Sequence, residues 1–65
     1  MKIKELTRRM NNHGTEARIR VLKHTDDANI LVYVGYPRNI DEAIGNMRVN
    51  SFTVIGRGFI EIHTT

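Results

Sequence analysis

Val54-Ile55-Gly56-Arg57-Gly58-Phe59-Ile60-Glu61-Ile62 is the stretch that decides the fold. Two segments rich in β-branched residues flank Gly-Arg-Gly, and the glycines let the chain reverse without a Cβ clash. The spacing predicts a tight β-hairpin with arms at Met47 to Ile55 and Phe59 to Thr64. Parity in the first arm is broken, because Val49 is odd while Phe52 and Val54 are even. A β-bulge near Asn50-Ser51 would return all three to one face.

Further toward the N-terminus a second pair of strands follows from the same logic. Ala17, Ile19 and Val21 alternate with Arg18, Arg20 and Leu22, which describes a half-buried strand with a largely basic outer face. His24-Thr25-Asp26-Asp27-Ala28-Asn29 is a turn by composition. Ile30 to Tyr36 forms the next strand, with Ile30, Val32 and Val34 on one side and Leu31, Tyr33 and Gly35 on the other. The two strands predict an antiparallel hairpin, and Pro37 ends the second because it has no N–H to donate.

The helical signals are shorter. Ile3, Leu6 and Met10 fall on one helical face, and Asn11-Asn12-His13-Gly14 stops that helix. Asn39-Ile40-Asp41-Glu42 has the form of a capping box, with Asn39 as cap and Glu42 three residues later, and predicts one helical turn at about 40–44. A ten-residue helix is marginal alone, so it must dock on the sheet. The expected architecture is α+β, in the order α-β-β-(short α)-β-β. One single domain, residues 1–65, packs its N-terminal helix on a four-stranded antiparallel sheet. The fourth strand, with no covering element, is expected to leave an exposed edge; the hairpins can join through either edge, and that join decides which edge is free. The uncovered face is expected to carry Arg18, Arg20, Leu22, Leu31, Tyr33, Glu61 and His63.

Composition bounds the function. A 65-residue chain without cysteine has neither disulfides nor a thiolate zinc site, and it buries only roughly 60% of its unfolded surface. No apolar run reaches the ~20 residues of a membrane span, and the N-terminus lacks a signal-peptide core. The cytoplasm is the expected location. Net charge is +3, unevenly spread. Residues 1–25 carry Lys2, Lys4, Arg8, Arg9, Arg18, Arg20 and Lys23 against Glu5 and Glu16. Residues 26–45 carry Arg38 against Asp26, Asp27, Asp41 and Glu42. A basic half and an acidic patch can steer an acidic partner, or simply keep the surface solvated.

No catalytic constellation emerges. Asp26-Asp27 and Asp41-Glu42 sit at a turn and at a helix start, where acids favour the dipole. Ser51 lacks a nucleophile elbow. His13, His24 and His63 match no metal-ligand spacing, so neither metal nor cofactor is expected. Gly56-Arg57-Gly58 lacks the frame of a phosphate loop. What remains is a non-enzymatic binding surface made of Arg18, Arg20 and Tyr33, with Arg57 at the hairpin tip. Tyr and Arg are favoured hot-spot types, and a free edge can pair with another chain. A protein partner is the first expectation, with inhibition of a host protein or homodimerisation as its forms. A nucleic-acid surface, with Arg on phosphates and Tyr33 on a base, is the alternative. A self-associating structural subunit is the third.

The order of short motifs resembles a group of small uncharacterised proteins of bacteriophages and prophages of Gram-positive bacteria. The matching segments are Lys2-Ile3-Lys4-Glu5-Leu6, Arg18-Ile19-Arg20-Val21, Tyr33-Val34-Gly35, Ile40-Asp41-Glu42, Val49-Asn50-Ser51-Phe52 and Ile60-Glu61-Ile62. The group's usual Ile-Pro is replaced here by Ile40-Asp41. The resemblance implies a phage accessory protein that acts by binding, and it carries no activity with it.

Overall fold

A computed structural model describes residues 1–12, 17–56 and 58–65, and the side chains of all of these except 10–12. Helix α1 spans Ile3–Asn12, β1 Arg18–His24 and β2 Asn29–Gly35. A 3-10 turn, Pro37–Asn39, and a one-turn helix α2, Glu42–Gly45, lead to β3 Val49–Val54 and β4 Phe59–Thr64. The four strands form one sheet in the order β2-β1-β4-β3.

Both hairpins are present and antiparallel. They join side by side through β1 and β4, which run parallel, Arg18 opposite Phe59 through Lys23 opposite Thr64. The sheet is therefore mixed, not purely antiparallel. A hairpin's turn signal announces its own pairing, whereas nothing local announces a parallel seam between strands 41 positions apart. The expected free edge on β4 is likewise corrected: β4 is central, and the edges are β2 and β3.

Directly paired residues share a sheet face, so register assigns the two surfaces. Ile19 and Val21 of β1 and Ile62 of β4 are fully buried against Ile3 and Leu6 of α1. Each such aliphatic side chain contributes roughly 1.5–3 kcal/mol when fully buried. The 3-10 turn and α2 lie beside α1, and Ile40 and Ile44 extend the same core. Asp41, not Asn39, caps α2, its carboxylate accepting the Ile44 N–H at 2.8 Å. The 3-10 turn at Pro37 to Asn39 uses up the residues that the expected cap needed.

The anticipated irregularity in β3 is real. The register shifts between Val49 and Ser51, so Val49, Phe52 and Val54 pair with Thr64, Ile62 and Ile60 on the covered face. Their burial nevertheless differs from that of their partners. Phe52 is 52% exposed and Val54 69%, because the α1 core is centred on β1 and β4. The segment preceding α1 holds the start of this strand, with Ile3 N–H donating to Met47 O at 2.9 Å and Val49 N–H to Met1 O at 2.8 Å.

Candidate functional site

No helix covers the second face of the sheet among the described residues, and register lays it out in rows. Arg18 lies beside Phe59 at one end. Val34, Arg20, Glu61 and Thr53 form the next row, and Leu31, Leu22, His63 and Ser51 the one after. His24 and Asn29 close the far end. Arg18, Arg20, Leu22, Leu31, Glu61 and His63 thus occupy the open face, as their alternation in sequence implies.

Tyr33 does not. A register shift between Val21 and Leu22 leaves Val32 as the extra residue of β2 and pairs Tyr33 with Val21 on the covered face. Its ring packs against the core, and its hydroxyl donates to Tyr36 O at 2.7 Å. Gly35 makes room for it: a Cβ there would stand 3.0 Å from the Tyr33 hydroxyl, and its φ of +154° suits glycine. The place expected for Tyr33 on the open face is corrected accordingly. Strict period-2 counting fails here because one bulge inverts the parity of everything beyond it. Arg57 lies outside the described residues.

Tyr36, just past β2, is the aromatic that joins the arginines. The Arg18 guanidinium sits 5.2 Å from its ring centroid and that of Arg38 sits 4.6 Å away, and an Arg18 N–H donates to the Tyr36 hydroxyl at 3.4 Å. Cation–π contact holds both cations in place and occupies the ring. Arg20 lies 3.8 Å from Glu61 across the parallel seam, a loose pair worth little in water.

The other end of the face carries a cluster that sequence reading left scattered. The seam brings His24 and His63 together, with Nε2 of His24 against Nδ1 of His63. Asn29 Oδ1 meets the outer nitrogen of His24, and Glu61 Oε1 that of His63 at 2.9 Å. Alternation places His63 on the open face, but composition assigns His24 to a turn; β1 runs on through His24, and the parallel register makes the two neighbours. Leu31 and Val34 lie about half exposed on the same surface, at 51% and 50%. No pocket opens among the described residues, and no helix there is long and apolar enough to cross a membrane.

Comparison with known proteins adds no second line: no family model, no curated protein and no solved structure matches the chain.

Proposed function

We propose that this chain is a non-enzymatic binding module that engages a protein partner through its open sheet face. The observation that carries the reading is the half-exposed Leu31 and Val34 on a face with no covering layer among the described residues, flanked by Arg18 and Arg20. Leu22, Leu31 and Val34 supply an apolar centre and the two arginines a charged rim, which is the anatomy of a protein interface. For a phage-type accessory protein, as the motif resemblance suggests, the partner is a cytoplasmic host protein whose activity docking would inhibit.

A nucleic-acid reading draws on the cluster of Arg18, Arg38 and Tyr36. It is the weaker of the two, because the Tyr36 ring is already held by two guanidiniums and Tyr33 faces the core. A third reading, self-association, uses the open edges of β2 and β3.

Capture of partners from host lysate on tagged protein separates these readings when run with and without nuclease at two salt concentrations. A discrete protein that survives nuclease and high salt, and is lost on Arg18→Glu with Arg20→Glu, is the expected result, with circular dichroism showing the variant folded. Recovery of nucleic acid alone, released steeply by salt, would overturn the protein reading. A concentration-dependent oligomer with no foreign partner would establish self-association in its place.

A further inference from the structure

His24 and His63 stand 39 positions apart in the chain and meet nitrogen to nitrogen, 2.5 Å apart. Their ring centroids are 4.8 Å apart and their planes 16° from parallel. The centroid separation exceeds the nitrogen separation by about one ring width. The rings therefore meet edge to edge in nearly one plane rather than face on face. Their outer nitrogens are both engaged, Nδ1 of His24 by Asn29 Oδ1 and Nε2 of His63 by Glu61 Oε1.

Both outer partners are acceptors, so each outer nitrogen donates a proton to its partner. A neutral imidazole carries only one ring proton. With both rings neutral, the two inner nitrogens are then left with lone pairs aimed at each other, a conflict that only a shared proton or a cation removes. At this separation the lone pairs repel, and turning both rings toward one cation beside the pair converts repulsion into two bonds. We propose that His24 and His63 form a two-imidazole site for one divalent transition-metal ion of the Zn²⁺, Ni²⁺ and Cu²⁺ group.

The donor set selects that group. Neutral imidazole nitrogen suits these ions, whereas Mg²⁺ and Ca²⁺ take oxygen ligands. The outer contacts supply what metal-binding histidines use, a carboxylate or carbonyl oxygen on the second ring nitrogen, which fixes tautomer and orientation. Metal–nitrogen bonds of about 2.0–2.1 Å at a right or tetrahedral angle set the inner nitrogens about 3 Å apart, with each ring turned so that its lone pair converges on the metal. Both side chains are only partly buried, which leaves room for that side-chain rotation. Among the described residues no set of three His, Asp or Glu converges on one point. The remaining coordination positions therefore fall to water, or to a group brought by whatever docks on this face. The metal site stands on these four residues whether or not the proposed partner exists.

Titration of the full chain with Cu²⁺ alone and with Zn²⁺ alone tests the site, by calorimetry for both and electron paramagnetic resonance for Cu²⁺. One equivalent should bind, with two nitrogen ligands visible on Cu²⁺, and Mg²⁺ should give no heat. His24→Ala and His63→Ala should each weaken binding more than tenfold, and Asn29→Ala and Glu61→Ala by about 10–100-fold. His13→Ala, at a position outside the described residues, should leave affinity unchanged. Absence of uptake, which would leave a shared proton as the only occupant, overturns the proposal. So does uptake that survives loss of both His24 and His63. Should a histidine variant fail to fold, the spectrum of the unaltered protein decides, and fewer than two nitrogen ligands refutes the site.

Discussion

Ile62 and Phe52 are direct cross-strand partners on the covered face, yet one is fully buried and the other 52% exposed. Truncating each to alanine tests whether α1 covers only the centre of the sheet. Ile62 sits among Ile3, Leu6, Ile19 and Val21, where deletion leaves a cavity that the seam cannot collapse. Ile→Ala at such a site costs about 2–5 kcal/mol, transfer and cavity terms together. Phe→Ala costs about 3–5 kcal/mol when fully buried. With half of Phe52 already in water and open space around the rest, the transfer term roughly halves and the cavity term falls away, leaving about 1–2 kcal/mol. A domain of this size has total stability of about 3–10 kcal/mol. Ile62→Ala should therefore remove about half of the total stability, and Phe52→Ala about a quarter. Urea unfolding followed by far-UV circular dichroism measures both. Equal losses for the two variants would refute the partial cover, as would a loss under about 1 kcal/mol for Ile62→Ala.

Two further substitutions follow from the geometry. Tyr33→Phe removes the hydroxyl bond to Tyr36 O and should cost about 0.5–1.5 kcal/mol in urea unfolding, while partner capture stays intact because the ring faces the core. Thr64 is fully buried and its Oγ1 has no hydrogen-bond partner among the described residues. Thr64→Val keeps the shape and removes the stranded hydroxyl, so it should raise stability by about 1 kcal/mol, visible as a higher melting temperature.

Local physics made much of this molecule legible. The period-3.6 spacing of Ile3 and Leu6 gave α1, and alternation gave all four strands. The parity break between Val49 and Phe52 marked the β3 bulge, because a covered face constrains its residues one by one. The bulge opposite Val21 left no comparable mark. Residues 30–36 are apolar on both sides, so shifting the register by one leaves the pattern unchanged, and alternation alone puts Tyr33 on the wrong face. The histidine pair was hidden for a different reason. Only His63 follows from its own strand, since His24 reads as part of a turn, and their meeting depends on the parallel seam, which no turn residue encodes. The exposure of Phe52 depends on where a short helix comes to rest, a property of the assembled layers rather than of β3.

The parallel seam also bears on how the chain reaches this shape. Each hairpin closes over a short connection, and such local closure takes microseconds. The seam instead aligns strands 41 positions apart, so loop entropy must be overcome before any of its contacts form. Ile19, Val21 and Ile62 all lie on the seam. Neither hairpin can complete its hydrophobic centre until it has found the other, so the last pairing to form is the one that makes the fold cooperative.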